Sequence, residues 1–439
     1  MKHCILKTIV VLCLASMMSH PFKLHAQEAD NKFNLNLNVL ERGELRYGEF
    51  REEDETKEGL SHFMLGRYRL TADYSRSWME ARLSLQQAGT WGMGGGSFSL
   101  NEAWVAMRSK KGWFAKIGRQ MLAYDDERII GTNDWSVTAP THDVLRFGFE
   151  GKRHQVHLLF AYNQNPDNMN GQTYFTGGNQ PYKSMQTFWY HYNMPESLFG
   201  ASLLFVNIGM QNLDPLNPKT YFQQVMGTYL AFKPKHWSAE GSFYYQMGRE
   251  EHGAVMDAFM GSVKAEAKPN DRYAINAGYD YLSGDPYFVV TQNGGVGLTY
   301  HKKLQGFNPI YGSHHQFYGA MDFYYMGTYV NGFTPGLQNA FLGGTYRPVK
   351  ELTLNASVHY LAMATTLAAV KKTLGQELEF SANYAVNKWC AVEAGYSYMH
   401  GTETMQYLKR VSDGQRLHWA YLMLVVRPDL FSATWNDKK

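Results

Sequence analysis

Arginine is the residue type that points most clearly to chemistry in this sequence, because it is unevenly distributed. Residues 27–150 contain 11 arginines, whereas the rest of the chain contains seven. Guanidinium groups stay charged and form paired hydrogen bonds with carboxylates. A row of them along one wall of a narrow channel would raise the local concentration of anions. The clustering therefore predicts a contact surface for carboxylate-bearing solutes.

A spacing of two residues places several of these arginines on a common face. Side chains two residues apart in a β-strand point the same way. This parity directs six arginines toward a polar interior, namely Arg42, Arg46, Arg67, Arg69, Arg82 and Arg146. A second interpretation stays open, in which the arginines only brace the wall, because the same region contains the acidic residues Glu44, Asp73, Glu80, Glu102 and Asp143. The two roles are compatible.

Other candidate sites are weaker. The run Asp125-Asp126-Glu127 offers oxygen ligands of the kind that Ca²⁺ prefers, but it lacks the rest of a calcium loop. A solvated loop, or partnership with Arg119 and Arg128, is therefore favoured. His314 and His315 have no third ligand at a fixed spacing. Neither Gly-x-Ser-x-Gly nor His-Glu-x-x-His is present. We therefore expect no metal, no cofactor and no enzymatic activity.

The segments that carry these residues alternate between apolar and polar side chains. In residues 33–39 phenylalanine, leucine and valine alternate with asparagine, and the pattern recurs in 64–75, 79–86, 352–360 and 377–384. Period-two alternation predicts strands with one apolar and one polar face. The segments reach the roughly 9–11 residues of a transmembrane strand, whereas strands of soluble proteins have a mode near 5–6. The pattern favours a membrane β-barrel.

The connections between the strands alternate in length. Along the chain, short turns alternate with long polar or Gly-rich segments. The long segments are 48–60, 89–99, 121–142, 164–183, 210–220, 248–256, 283–337, 363–374 and 401–414. Outer-membrane barrels combine short periplasmic turns with long extracellular loops. The fold class predicted is therefore all-β, a transmembrane antiparallel β-barrel of about 18 strands. A strand-like stretch at 315–326 is assigned to the 283–337 loop, because counting it would make the number of strands odd.

The two ends of the chain need separate comment. Lys2 and Lys7, a short apolar run and Ala26 predict a cleaved secretory signal over residues 1–26, with one barrel domain over 27–439. Without the signal the chain has as many basic as acidic residues, so nucleic acid is not an expected partner. At the other end, the last strand is predicted near 418–426, and a tail with Trp435 follows. Either this tail makes an additional pairing, or the barrel is recognised differently during assembly.

Residues 115–149 contain a distinctive series of motifs, namely Gly118-Arg119-Gln120, Asp126 with Arg128, Gly131, Asp134-Trp135, and Asp143 with Arg146. In this series the segment resembles the alginate export family of outer-membrane β-barrels. Similar blocks recur at 279–285, 307–324 and 377–399, so the resemblance covers most of the chain. It implies a monomeric 18-stranded barrel and passive export of the anionic polysaccharide alginate through an arginine-rich pore.

We therefore expect a channel in the outer membrane of a Gram-negative bacterium, which lets anionic solutes diffuse passively. Export of an alginate-like polysaccharide is one form that this transport could take. The alternatives are a nutrient-uptake porin for small anions or oligosaccharides and a non-conducting barrel used as an adhesion or assembly scaffold. Loops 121–142 and 283–337 would narrow or close the pore. Expected partners are outer-membrane lipid, the solute and periplasmic secretion proteins. The pore-lining residues predicted are Arg42, Arg46, Arg67, Arg69, Glu80, Arg82, Arg119, Asp126, Arg128, Asp134, Asp143 and Arg146.

Overall fold

A computed structural model of the chain gives the positions of most residues from 31 to 436. The gaps are 49–59, 95, 168–173, 176–179, 181, 195, 197, 213, 215–216, 286–287, 291–295, 299–302, 325–333, 368–369 and 410–415. The predicted signal segment 1–26 lies outside the described residues. Among the residues described, no helix is long and apolar enough to span a membrane.

The part of the chain that the structure describes contains twenty-two strands and one α-helix. The first thirteen strands are β1 Asn31–Tyr47, β2 Ser61–Arg76, β3 Met79–Thr90, β4 Ser97–Arg108, β5 Trp113–Gln120, β6 His142–Glu150, β7 His154–Tyr162, β8 Ser184–Asn193, β9 Phe199–Gln211, β10 Thr220–Phe232, β11 Trp237–Arg249, β12 Val255–Asn270 and β13 Tyr273–Leu282. The remaining elements are β14 Phe288–Val290, β15 Val296–Leu298, β16 Lys303–Leu304, β17 Leu337–Val349, β18 Leu352–Ala362, β19 Thr373–Asn387, β20 Cys390–Gly401, α1 Glu403–Lys409, β21 Leu417–Val426 and β22 Asp429–Trp435.

These strands build a closed antiparallel barrel of 18 strands, as the alternation predicted. Consecutive barrel strands pair with each other, β13 pairs with β17, and β1 closes the ring by pairing with both β2 and β21. The short β14 and β15 form a separate two-stranded ribbon, and β16 pairs with the start of β12. Each of the 18 long strands thus has a partner on both sides, which is the condition for a sheet to span lipid.

The C-terminal tail completes the last strand of the barrel. β21 pairs with residues 39–47 of β1, and β22 pairs with residues 31–36 of β1, ending at the pair Asn31 and Trp435. β21 and β22 are separated at Pro428, which has no backbone N–H to donate to the ladder. Trp435 therefore takes part in an additional pairing, the first of the two alternatives considered for the tail.

The alternation of side chains separates the inner and outer faces of the wall. On β2, Arg67 and Arg69 are buried, whereas Tyr68 and Leu70 between and beside them are 43% and 40% exposed. Other outward positions are strongly exposed apolar residues, for example Ile117, Leu203, Val263 and Leu422. An apolar outer band and a polar inner face are typical of barrels that span the outer membrane.

Two long connections fold into the barrel interior instead of extending away from it. They are residues 121–141, called loop A, and residues 305–324, called loop B. The strand-like stretch at 315–326, which the sequence analysis assigned to the 283–337 loop, forms no strand over its described residues, and loop B contains a short 3-10 turn at His314–Gln316. Apolar side chains of both loops pack with inward residues of the wall in one buried cluster that includes Leu122, Ile129, Ile130, Phe307, Met185, Trp189, Val225, Tyr244 and Met260. The lumen therefore has a packed core at the level of the loops.

Candidate functional site in the barrel lumen

Loop A is bound to the arginine-bearing wall through Asp134. Its carboxylate accepts hydrogen bonds from Arg67 Nη1 at 3.0 Å and from Arg69 Nη1 and Nη2 at 3.1 Å. Arg67 also donates to the carbonyl oxygens of Asp134 and Ser136, at 2.9 and 3.2 Å. The Arg67 side chain is completely buried, because the loop lies over it. Two guanidinium groups of the wall thus share one carboxylate of the loop.

Trp135, the next residue of loop A, is attached to the same wall. The Arg42 guanidinium lies 4.2 Å from the centre of the indole ring and donates to the Trp135 carbonyl oxygen at 3.0 Å. Arg42 is also paired with Glu44 at 2.8 Å. His315 of loop B stacks on the indole, with ring centres 4.5 Å apart. Arg42, Arg67 and Arg69 are called the covered arginines below, because at most a tenth of each side chain is exposed.

Loop A is bound to the far wall as well. Arg128 pairs with Asp280 of β13 at 2.8 Å and with Asp126 of its own loop at 3.2 Å. Burial alone would lower the pKa of Arg128, but the carboxylates of Asp280 and Asp126 outweigh it and raise the pKa.. Asp134 is attached to β2, whereas Arg128 is attached to β13, eleven strands further along the chain. The loop therefore crosses the lumen between its attachments.

The three acidic side chains at residues 125–127 of loop A contact separate partners. Trp189 Nε1 of β8 donates to Asp125 at 2.9 Å, and Ser313 Oγ of loop B donates to Glu127 at 2.8 Å. Burial raises the pKa of Asp125 to about 6, and the hydrogen bond from Trp189 opposes this rise. Because Asp126 faces Arg128, the three carboxylates do not converge on one point. Of the partners expected for the run, Arg128 is found at Asp126, whereas Arg119 pairs with Asp143 instead.

Loop B is bound to loop A and to a wall rich in carboxylates. Ile130 and Tyr311 form a parallel bridge between the two loops. The backbone N–H groups of Ala320 and Met321 donate to Glu379 and Glu377 of β19, at 2.7 and 2.8 Å. Part of the predicted 283–337 loop thus folds into the lumen. Between loop B and the far wall lies a polar cavity of about 280 Å³, whose lining includes Arg128, Gln316, Glu240, Lys264, Asn276 and His359.

A second group of lumen arginines lies lower in the barrel, toward the short turns. Arg82 pairs with Asp73 at 2.7 Å and with Glu102 at 3.0 Å. Arg108 pairs with Glu80 at 3.1 Å and with Glu150 at 2.6 Å. Both side chains are 36% exposed. They are called the open arginines together with Arg146, which contacts Glu150 at 3.5 Å and His157 at 3.1 Å.

Every arginine that the parity directed inward contacts a carboxylate, since Arg46 also pairs with Glu44 at 2.8 Å. Bracing of the wall is therefore part of their role. Two further cations of this wall, Arg108 and Lys116, escaped the sequence prediction of lumen residues. Lys116 Nζ lies 3.5 Å from the centre of the Trp104 ring. Parity would have found Arg108, which lies an even number of residues after Glu102 on β4.

Two residues predicted to line the pore lie on the outer surface instead. Arg119 of β5 and Asp143 of β6 pair with each other at 2.7 Å. Arg119 shares the parity of Ile117, which is 58% exposed, whereas the neighbouring Gln120 is fully buried. Similarly, Asp143 lies between the buried His142 and Val144. This placement corrects the prediction, because strand parity turns both side chains away from the lumen.

The comparison with known protein families decides the identity of this barrel. The family model described as "Alginate export" matches residues 96–406, a span that contains most of the wall and both loops. The chain belongs to the alginate export family. Among curated proteins, no sequence matches this family member.

Solved outer-membrane porins share the fold of this alginate export family member at low sequence identity. A BenF-like porin from Pseudomonas fluorescens Pf-5 is 13% identical, with a TM-score of 0.58, and the match covers 91% of this chain and 99% of that chain. OpdL from Pseudomonas aeruginosa is 10% identical, with a TM-score of 0.58 and the same coverages. OprD from the same organism is 10% identical, with a TM-score of 0.57 and coverages of 91% and 94%. Family and fold together indicate an outer-membrane channel and suggest that it is not an enzyme.

Proposed function

We propose that this protein lets anionic solutes diffuse passively across the outer membrane, and that the solutes contact the open arginines and Lys116. The observation that carries the proposal is the exposure of Arg82 and Arg108 in the lower lumen, in contrast to the sealed Arg67. A solute can reach only side chains that are not already covered by a loop. The sites of contact are therefore on β3 to β6, and the covered arginines hold loop A.

The ion pairs of the open arginines suit transient contact. Arg82 and Arg108 each lie between two carboxylates, so an arriving solute competes with groups that are already bound. Such competition weakens net binding. A passive channel requires binding that is strong enough for entry and weak enough for release. Wall bracing and solute contact are thus compatible roles of the same side chains.

The inward loops favour small solutes over a polymer. Loop A is held at one wall by Asp134 and at the other by Arg128, and loop B is bound to β19. A polymer would have to thread through the lumen at the level of the two loops, and these attachments restrict the space there. Export of an alginate-like polysaccharide is the second candidate, because it is supported by membership of the alginate export family.

Single-channel current of the refolded mature protein in a planar bilayer under a salt gradient tests the proposal. We expect an anion-selective reversal potential that moves toward zero in Arg82→Gln/Arg108→Gln. The charge-preserving pair Arg82→Lys/Arg108→Lys is the matched control and should keep most of the selectivity. Loss of selectivity in both pairs would indicate a packing role for arginine rather than attraction of anions.

The same recording separates the other candidates. Current without anion preference would contradict the proposal and leave a general porin. Block by long polyuronates but not by short ones would favour export of a polymer. If the wild-type barrel carries no current at all, the protein is a non-conducting scaffold.

A further inference from the structure

The outer surface of β13 and β17–β20 contains a depression whose floor consists of small residues. Gly344, Ala356, Ala382 and Ala394 all point outward, and Gly344 is paired with Ala356 and Ala382 with Ala394 in the sheet. The depression has a volume of about 890 Å³. This volume is within the range of small-molecule sites, which is about 300–1,000 Å³. The wall is therefore hollowed on the side that faces lipid.

Large apolar and aromatic side chains form the rim of this groove. Tyr273 and Tyr346 stack at its lower end, with ring centres 5.0 Å apart and planes inclined by 13°. Phe380 and Tyr396 stand at its upper end and are 54% and 41% exposed. The groove thus runs from the level of the short turns toward the middle of the wall. Its apolar lining suits a hydrocarbon chain in the periplasmic half of the membrane.

Basic side chains surround the lower end of the groove. Arg272, Lys350 and Lys388 lie in the short turns at this end of the barrel, Arg347 lies near the end of β17, and all four are exposed. Within the described part of the chain, Arg272, Arg347 and Lys350 form no ion pair. The same turns contain two exposed acids, Asp271 and Glu351, so positive charge predominates. Basic clusters beside a membrane surface recognise anionic lipid head groups.

We propose that this groove binds an anionic glycerophospholipid of the periplasmic leaflet. An acyl chain lies over the floor of small residues, and the phosphate contacts the cations of the turns around Arg272 and Arg347. The hydroxyl groups of Tyr273 and Tyr346 stand between the two regions, at the depth where aromatic girdles meet head groups. A second copy of the chain fits less well, because a two-fold interface would bring the same cations face to face.

Native mass spectrometry of the mature protein in detergent tests the acyl-chain part of the site. The probes are dioleoyl-phosphatidylglycerol and dioleoyl-phosphatidylcholine. We expect one phosphatidylglycerol to be retained at concentrations where phosphatidylcholine is lost. Filling the groove with Ala356→Phe/Ala382→Phe should weaken retention at least tenfold. Ala81→Phe, which is an outward position on β3 outside the groove, should leave retention unchanged.

Neutralising the turns tests the head-group part. Arg347→Gln/Lys350→Gln should lower the preference for phosphatidylglycerol, whereas Lys111→Gln/Lys152→Gln in turns of the opposite wall should not. Equal retention of both lipids by the wild type would overturn the proposal without any variant. The proposal would also be overturned if Ala81→Phe and the double variant Ala356→Phe/Ala382→Phe retained phosphatidylglycerol equally well. Loss of a dimer in the double variant would overturn it too. Because no current is measured, these outcomes are independent of the proposed channel function.

Discussion

The covered and the open arginines have the same residue type and the same strand parity, yet their surroundings differ. Arg67 and Arg69 are bound by Asp134, which belongs to a loop that crosses the lumen. Arg82 and Arg108 are bound by carboxylates of their own wall and remain about one-third exposed. The covered arginines therefore attach loop A to the wall, whereas the open arginines line the lumen between loop A and the short turns. Position relative to loop A, rather than chemistry, separates the two roles.

Removing the shared carboxylate should have the largest effect. Asp134→Ala leaves Arg67 and Arg69 beneath the loop without their anion. Loss of one partner of a fully buried ion pair costs about 3–5 kcal/mol, and the cost here should be smaller because the Asp134 side chain is 40% exposed. Amide hydrogen exchange of residues 129–137 should accelerate by roughly tenfold to a hundredfold, because each 1.4 kcal/mol is about a factor of ten. Pore current should rise as loop A detaches.

Asp134→Asn is the control for this experiment, since it keeps the size of the side chain and part of the hydrogen bonding. It should lie between the wild type and the alanine variant. Unchanged exchange in Asp134→Ala would show that the apolar cluster alone holds the loop, and the distinction between covered and open arginines would lose its energetic basis.

The pH dependence of loop A should give an effect of intermediate size. Burial raises the pKa of Asp125 to about 6 from its usual value of 3.8. A carboxyl group with a raised pKa stabilises the docked loop when it is protonated, so docking should tighten as the pH falls from about 7 to about 4. The upper limit is roughly 3 kcal/mol. Hydrogen exchange of residues 122–128 at several pH values measures this change in docking. The intrinsic pH dependence of amide exchange is corrected with a free peptide of the same sequence.

Asp125→Asn removes the ionisable group and should flatten this profile. A profile that survives the substitution would assign the pH dependence to another group, and Asp126 is the next candidate because burial raises its pKa as well.

Arg82→Gln should have the smallest effect on stability. Its ion pairs are partly exposed, and such pairs are worth roughly 0–1 kcal/mol. The midpoint of thermal or denaturant unfolding should change little, and exchange of loop A should stay as in the wild type. Arg67→Gln, in contrast, should accelerate that exchange. If the two substitutions destabilise the loop equally, the two groups of arginines act as one network.

Much of the barrel could be read from local patterns. Polar and apolar residues alternate along β1 and β19 because every second side chain faces lipid, so the strand count followed from the sequence. The outward placement of Arg119 was also accessible, since it shares the parity of Ile117. The tail around Trp435 was less accessible, because its pairing with β1 joins residues at opposite ends of the chain.

The sequence by itself determined the strands, their faces and the short turns, because these depend on residues next to one another. The course of the loops was decided only by the tertiary structure. Arg128 meets Asp280, and Asp134 meets Arg67, across long stretches of sequence with no local signal. Whether an inward arginine is covered or open depends on which loop segment packs against it. That packing is set by the closed ring, which brings distant strands around one lumen.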